Sequence, residues 1–264
     1  MINEEKIKEL LSHRPEVIQE IFVYGLTDST STRAREYSRS IGELPGTVLF
    51  LADGQTMGRG RLGKSFHSAL GAGIYMTLLI SPEKMGVDPS RITAESAVKL
   101  SRAVERMTGR KMKIKWINDV YARANDGEKY KKLAGILAES ETDSEGKIKY
   151  LYLGLGINVY KAALPDEISD IAISLEELTG EKFSREDLIA EILTELLSPA
   201  DPQGLYREYC RRSLTLGKQI TVRPTAKAPY PATAVKISED FSLIVKLPDG
   251  SLERIFTGEV STEL

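Results

Sequence analysis

Three β-rich segments follow one another in the middle of the chain, with polar stretches rather than a helical pattern between them. They are MKIKWIND at 112–119, KLAGILAES at 132–140 and IKYLYLGLGINVY at 148–160. Consecutive strands of this kind pair antiparallel, because a parallel pair needs a long crossover connection, usually a helix. The sequence therefore predicts a largely antiparallel sheet in this region.

Helical and strand-like patterns share the rest of the chain, so the predicted fold class is α+β. Apolar, β-rich runs indicate further strands at 17–26, 47–52 and 72–80. Apolar spacing and N-cap residues indicate helices at 4–11, 27–42, 88–109, 173–180, 184–197 and 204–214. The mixture predicts a sheet with flanking helices.

The pattern changes from about Gly217 onward to short β-like runs. These runs are at 218–224, 231–238, 241–250 and 251–260, and a Pro-Asp-Gly turn joins the last two. Short strands closely spaced by turns are typical of a small β-barrel. We therefore predict two domains, a catalytic domain at 1–214 and a β-barrel domain at 215–264.

The composition excludes several classes of protein. With 264 residues, 41% hydrophobic, 28% charged and a net charge of −2, the chain has no overall basic field for nucleic acid or an anionic membrane. Cys210 is the single cysteine, so an internal disulfide and a multi-cysteine zinc cluster are excluded. No signal core and no run near the roughly 18 apolar residues of a membrane span are present, and a cytoplasmic location is expected.

The stretch GRGRLGKS at 58–65 matches two phosphate-binding patterns, G-x-G-x-x-G and G-x-x-x-x-G-K-S. Either pattern requires a strand that leads directly into the glycines and a helix that follows them. The strand 47–52 ends before Gly58, and Gly71 with Gly73 would interrupt a following helix. Both phosphate motifs are therefore disfavoured, and the stretch is predicted to be a flexible anion-binding loop.

The cations of this loop give it a second possible role. Arg59, Arg61 and Lys64 alternate with glycines that allow the backbone to approach a ligand closely. Such a loop can close over a phosphate or a carboxylate, whereas the structural alternative is a solvated basic turn. The choice between them depends on other motifs in the chain.

Five motifs supply that context in a fixed order. They are DSTS at 28–31, DGQTMGRGRLGKSF at 53–66, KWIND at 115–119, KKLAGILAE at 131–139 and GLGINV at 154–159. Together they resemble the biotin protein ligase family, and FTGEVS at 256–261 is similar to the end of that family's C-terminal barrel. The resemblance covers nearly the whole chain and implies a class II synthetase-like mixed, largely antiparallel sheet with an SH3-like barrel.

The resemblance implies a reaction in two steps. Biotin and MgATP, with Mg²⁺ as the accompanying cation, form biotinyl-5′-AMP and pyrophosphate, and a lysine of a biotin carboxyl carrier domain then attacks the mixed anhydride. The first step brings a carboxylate against a triphosphate, so cations from separate segments must neutralise both anions. This chemistry accounts for the arginines and lysines of the motifs without a nucleophilic enzyme residue.

The resemblance also implies roles for individual residues. Lys132, Arg61 and Arg59 would be the catalytic cations. Biotin would contact Ser29, Thr30, Gln55, Arg59, Gly60, Arg61, Lys132, Gly135, Ile136 and Gly156. ATP would contact Arg61, Lys64, Lys115, Trp116, Asn118, Asp119, Lys132 and Asn158, and no metal ligand is assigned.

Structural alternatives remain open for several of these residues. Ser29 and Thr30 also suit a helix N-cap, Trp116 a core position, Lys132 a solvated surface, and Gly156 tight strand packing. The chain departs from the usual family pattern at five positions, namely Ser31 for Asn, Met57 for a small residue, Lys64 for Arg, Phe66 for Trp and Ile117 for Pro. A lysine at 64 keeps the charge but loses bidentate geometry.

Three other functions and several partners can be considered for this sequence. Attachment of lipoate or octanoate is a close alternative, a non-catalytic nucleotide sensor is another, and a P-loop NTPase is the weakest. Only 27 residues precede the DST motif, whereas a regulatory winged helix needs about sixty, so DNA binding is not expected. A homodimer is possible by resemblance, and no membrane partner is expected.

Overall fold

The computed structural model describes residues 1–14, 18–225 and 227–261. The α-helices are α1 Glu4–Leu10, α2 Thr30–Ser40, α3 Pro82–Met85, α4 Ile92–Thr108, α5 Leu175–Thr179, α6 Arg185–Leu196 and α7 Pro202–Arg212. The larger sheet contains β1 Glu20–Thr27, β2 Val48–Gln55, β3 Gly73–Ile80, β4 Lys113–Lys115, β5 Asp119–Ala122, β6 Lys131–Thr142 and β7 Ile148–Asn158. The smaller sheet contains β8 Gln219–Arg223, β9 Tyr230–Ile237, β10 Leu243–Lys246, β11 Leu252–Ile255 and β12 Glu259–Ser261.

The larger sheet has the strand order β1-β2-β3-β7-β6-β5-β4. β1 and β2 are parallel, and α2 supplies the crossover between them, whereas every other neighbouring pair in this sheet is antiparallel. The predicted α+β class with a mixed, largely antiparallel sheet is therefore confirmed. The predicted strand at 17–26 corresponds to β1, although residue 17 lies outside the described residues.

Two apolar clusters cover the two faces of this sheet. Along β2, Val48 and Phe50 pack with Ala34 of α2, whereas Leu49 and Leu51 belong to the cluster that contains α4 and α6. The alternation follows from the strand period of two, which sends successive side chains to opposite faces. α2 therefore lies on one face of the sheet, and its N-terminus contacts Gln55 at the end of β2 and Thr77 in the middle of β3.

Helix ends follow the local sequence signals. Ser184 caps α6 by accepting a hydrogen bond from the backbone N–H of Asp187, and Ser174 forms a complete capping box with Glu177 at α5. The long helix predicted at 88–109 is α4, which ends where Gly109 adopts a φ of 65°. These helices agree with the sequence prediction to within a few residues at each end.

The strand predicted at 112–119 is wrong as a single element. The chain forms β4, turns, and returns as β5, so that Lys115 pairs with Asp119. The backbone N–H of Trp116 donates to Thr215 Oγ1, and the Asn118 side chain donates to the carbonyl of Ile136 at 2.9 Å. These contacts from distant segments stabilise the turn, and the Trp116–Ile117 peptide bond in it is cis.

The smaller sheet is antiparallel, with the order β11-β10-β9-β8-β12. β11 and β12 are its edges, so within the described residues the hydrogen-bonded ladder is open rather than a closed barrel. The predicted run 251–260 is divided into β11 and β12 at 256–258, where Gly258 has a φ of 117°. Residues 226 and 262–264 of the predicted domain 215–264 lie outside the described residues, and the two-domain division stays a prediction.

The two sheets share one apolar cluster. Phe241, fully buried, contacts Tyr206 and Tyr209 of α7, and its carbonyl accepts a hydrogen bond from Trp116 Nε1 at 2.8 Å. Through these contacts the β9–β10 connection is attached to the end of the larger sheet. Among the described residues, no helix combines the length and apolar character needed to cross a bilayer.

Candidate active site

A cleft opens on the α2 face of the larger sheet and contains about 480 Å³ of empty space, including its mouth. All residues predicted to contact biotin line it: Ser29, Thr30, Gln55, Arg59, Gly60, Arg61, Lys132, Gly135, Ile136 and Gly156. The structure therefore brings together four segments that are far apart in the chain.

One end of the cleft holds a network of uncharged polar groups. The Thr30 hydroxyl lies 2.8 Å from the hydroxyl of Thr77, and Gln55 Oε1 accepts from the Thr30 backbone N–H at 2.8 Å. Gln55 Nε2 donates to Ser68 Oγ at 2.9 Å. Because each partner is fixed by another, the network presents oriented donors and acceptors to a ligand.

Ser29 has the structural role that the sequence left open for it. Its side chain accepts a hydrogen bond from the backbone N–H of Ser31 and caps α2, and it is also part of the cleft wall. The Ser31 hydroxyl lies 3.2 Å from the hydroxyl of Thr77. The helix start therefore adds two buried hydroxyls to the polar end.

The other end of the cleft is cationic. Lys132 Nζ lies 2.8 Å from Asp119 Oδ1, and both side chains are partly exposed. Arg61 donates to Asn118 Oδ1 at 3.1 Å, and Asn118 is itself held by the carbonyl of Ile136. Lys132 thus reaches the cleft from β6 and is positioned by Asp119 of β5. Arg61 reaches it from the glycine loop and is positioned by Asn118 in the turn before β5.

Burial makes two of the nearby cations receptive to an anion. Removal from water lowers the pKa of Lys115, and the same cause lowers the pKa of Arg61. Both shifts are opposed by the negative charges of Asp119 and Glu259. A phosphate or carboxylate that replaces lost solvation would stabilise the charged forms of both side chains.

The glycine loop is a short hairpin over the cleft. Residues Arg59 and Ser65 form a β-bridge, a single 3₁₀ turn spans Arg61–Gly63, and Phe66 lies directly on Gly156. A Cβ at Gly156 would lie 2.6 Å from the Phe66 ring. Residues 64–72 contain no helix, which confirms that the GRGRLGKS stretch is not a P-loop.

Two arginines connect the loop to its surroundings. Arg59 donates to Thr32 Oγ1 at 3.3 Å and lies 3.8 Å from Glu139, on the side of α2 and β6. Arg61 donates from its second nitrogen to the carbonyl of Gly258 at 3.3 Å, on the side of the smaller sheet. The loop therefore bridges both sides of the mouth.

Several residues predicted to contact ATP do not line this cleft. Asp119 pairs with the lining residue Lys132, and Lys64 pairs with Glu259. Trp116 is buried, and its indole N–H donates a hydrogen bond to the carbonyl of Phe241. The Asn158 side chain donates to the carbonyl of Ile173 at 3.3 Å. Lys115 is also absent from the lining residues. A role in ATP binding stays a prediction for this group.

The sequence interpretation missed several residues of the site, and three of them are polar. Thr77 is fully buried, and its signal was a hydroxyl in the otherwise apolar strand GIYMTLLI. Ser68 orients Gln55 without any local pattern that indicates it. Glu259 stands in the FTGEVS motif, but only the folded chain brings it to Lys64.

Among the described residues, no group of three or more His, Cys, Asp or Glu side chains is arranged to hold a metal ion. Mg²⁺ therefore enters the following proposal only as part of the MgATP substrate.

The fold and the cleft define a class of protein, an α+β ligand-binding enzyme with a polar pocket beside a cluster of cations. The sequence matches the model of the biotin/lipoate A/B protein ligase family over residues 23–158, about half of the chain. This chain belongs to that family.

Known proteins of this kind are similar over most of the chain. The bifunctional ligase/repressor BirA of Bacillus spizizenii is 28% identical over 94% of this chain and 75% of its own length. The biotin–[acetyl-CoA-carboxylase] ligase of Mycobacterium tuberculosis is 30% identical over 77% and 74%. The solved biotin protein ligase of Aquifex aeolicus in complex with biotin and ATP superposes with a TM-score of 0.74, at 26% identity over 92% and 98%.

Proposed function

We propose that this protein is a biotin protein ligase that activates biotin with MgATP and transfers it to a lysine of a biotin carboxyl carrier domain. The main support for the proposal is that one cleft contains both the Thr30–Gln55 network and the cations Lys132 and Arg61. A ligand with a polar head and a carboxylate tail matches that order of groups.

The ring system of biotin suits the polar end. A cyclic urea presents one carbonyl acceptor and two N–H donors, and these complement the hydroxyls of Ser29 and Thr30 and the amide of Gln55. The dithiolane of lipoate has no such groups, so it would gain none of these hydrogen bonds, each of which contributes about 0.5–1.5 kcal/mol. The relatives named for biotin favour the same choice.

The cationic end suits the first chemical step. A biotin carboxylate oxygen attacks the α-phosphorus of ATP, the bond to the β-phosphate oxygen breaks, and pyrophosphate leaves. Two anions must meet, so Lys132 would lie between the carboxylate and the α-phosphate, with Arg61 and Asn118 beside the nucleotide. Lys64, Lys115, Asp119, Trp116 and Asn158 are proposed around the ATP site.

The second step needs a protected mixed anhydride. The lysine amine of the acceptor domain attacks the carbonyl carbon, and AMP leaves with the bonding electron pair. A closed loop with Arg59, Gly60 and Arg61 would exclude water and stray amines until the acceptor arrives. We further propose that residues 1–214 carry out both steps, that 215–264 form an accessory domain, and that the enzyme acts in the cytoplasm.

The test is an adenylation assay with the purified protein. We expect pyrophosphate only when biotin and MgATP are both present, and biotinylated lysine after a carrier domain is added. The same assay with octanoate or lipoate in place of biotin distinguishes the related ligase activity. If pyrophosphate formed with those acids but not with biotin, biotin would be rejected as the substrate. Tight biotin binding without pyrophosphate would indicate a sensor rather than a ligase.

A further inference from the structure

The glycine loop, defined here as residues 58–66, is attached to the smaller sheet by an ion pair. Lys64 Nζ lies 2.6 Å from Glu259 Oε1 and 2.7 Å from Glu259 Oε2, although 195 positions separate the two residues in sequence. Glu259 begins β12, which pairs with β8 in the smaller sheet. The loop is therefore held from outside the sheet that forms the cleft.

A second contact lies beside this ion pair. Arg61 donates to the carbonyl of Gly258, the residue before Glu259, while its other nitrogen donates to Asn118 at the cleft. A Cβ at Gly258 would lie 3.1 Å from the carbonyl oxygen of Arg223, so the backbone there is closely packed. The first residue of β12 and the residue before it thus contact two cations of the loop.

The position of the loop decides how open the cleft is. Phe66, at the end of the loop, rests on Gly156 in the cleft wall, and Arg59 and Arg61 line the cleft themselves. When Lys64 and Arg61 leave the smaller sheet, the hairpin loses its attachment on that side of the mouth. Thr32 and Glu139 hold only the opposite side, through Arg59.

We infer that Glu259 is a positioning residue, which keeps the glycine loop closed over the cleft and thereby slows the escape of the reactive adenylate. This role rests on the proposed ligase function. It also assigns a function to the smaller sheet, because its edge strand β12 begins with the residue that holds the loop. The Lys64 ammonium, which needs only a single anionic partner, suits this contact with one carboxylate.

The size of the effect follows from the exposure of the pair. The Lys64 side chain is 63% exposed and that of Glu259 is 36% exposed, so solvent screens their attraction. Exposed ion pairs contribute up to about 1 kcal/mol, which corresponds to a change of at most about five-fold in the closed population. The expected effect is therefore measurable but small.

The experiment compares Glu259→Gln with a matched control. Glu43→Gln removes a partner of another exposed lysine, Lys84, at the same N–O distance of 2.6 Å but outside the loop and the cleft. For Glu259→Gln we expect about two- to five-fold faster release of preformed biotinyl-5′-AMP at low salt, with the midpoint of thermal unfolding lowered by no more than about 4 °C. Glu259→Asp, which keeps the charge, should recover part of the retention, and Glu43→Gln should match the wild type.

A second readout does not depend on activity. Trypsin cleaves after Arg59, Arg61 and Lys64, and cleavage of the unliganded Glu259→Gln protein should be faster than that of the wild type or the Glu43→Gln control. The positioning role would be overturned if Glu259→Gln and the wild type were cleaved at the same rate. It would also be overturned if the wild type forms the adenylate and both proteins release it at the same rate. A wild-type protein that forms no adenylate would instead reject the proposed function, while the cleavage rates still test the attachment.

Discussion

Lys132→Ala should abolish most of the adenylation activity, because Lys132 lines the same cleft as the polar network and Arg61. Removal of one preorganised charge partner of a transition state typically costs about 10²–10³ in rate, or roughly 3–4 kcal/mol. The Lys132 side chain is 31% exposed, so water partly screens its charge. We therefore expect the low end of that range, about 100-fold in kcat/KM for biotin-dependent pyrophosphate formation.

The same substitution should also affect stability, by a separable amount. It leaves Asp119, which is 22% exposed, without the ammonium at 2.8 Å. Exposed pairs contribute at most about 1 kcal/mol and broken buried pairs cost about 3–5, so we expect a loss near 1–2 kcal/mol in the free energy of unfolding. Adding Asp119→Asn should recover most of the stability in urea titrations while the activity stays low.

Lys64→Ala is the matched comparison for activity. Its ammonium is exposed and paired with Glu259 outside the cleft, so loss of this pair and of a solvent-screened contact with ATP should lower adenylation by no more than about five-fold. A P-loop would give the opposite order, with loss of ATP binding in Lys64→Ala. If Lys132→Ala lost no more activity than Lys64→Ala, the assignment of the central cation to Lys132 would be refuted.

Three further expectations concern the surroundings of the cleft. Burial lowers the pKa of Lys115 from its ordinary value of 10.5, so rising pH removes its charge earlier than usual. ATP affinity in titration calorimetry should therefore weaken as the pH rises toward 10.5, and less so in Lys115→Arg. Gly156→Ala places a Cβ 2.6 Å from the ring of Phe66, and the overpacking, about 1–3 kcal/mol, should weaken biotin binding about ten-fold, with recovery in the double variant with Phe66→Leu. Trp116→Phe removes the donor to the Phe241 carbonyl and should lower the free energy of unfolding by about 1–3 kcal/mol, measured in urea.

Each of these expectations has a contrary result. A pH-independent ATP affinity would show that Lys115 does not contact the nucleotide, and an unchanged biotin affinity in Gly156→Ala would show that Phe66 moves away without cost. A loss of ATP affinity in Trp116→Phe at unchanged stability would favour the role in ATP binding that the sequence predicts.

Local patterns predicted the elements of this fold well where local interactions decide them. The helix predicted at 88–109 appears as α4, because its apolar spacing matches one face and Gly109 ends it. The glycines at 71 and 73 argued against a P-loop helix, and residues 64–72 indeed contain none. The order of the five motifs also indicated the family that the sequence comparison identifies.

Local patterns failed where distant segments decide the backbone. Residues 112–119 have the composition of one strand, yet hydrogen bonds that Trp116 and Asn118 donate to Thr215 and Ile136 hold a turn at its centre. The run 251–260 is interrupted in the same way at Gly258, which packs closely against Arg223. The residues adjacent in sequence give no signal of either contact, so the hydrophobic periodicity does not indicate these breaks.

The sequence by itself determined most element types, the family and the residues expected around biotin, all of which line the cleft, because these depend on local periodicity and on motifs that each lie within a few positions. Only the tertiary structure decided which charges meet. Lys64 and Glu259, or Lys132 and Asp119, are exposed or half-exposed residues whose partners depend on how strands and sheets pack, and an ion pair between separate segments has no signature in either segment. The charge of the glycine loop was therefore readable from the sequence, whereas its attachment to the smaller sheet was not.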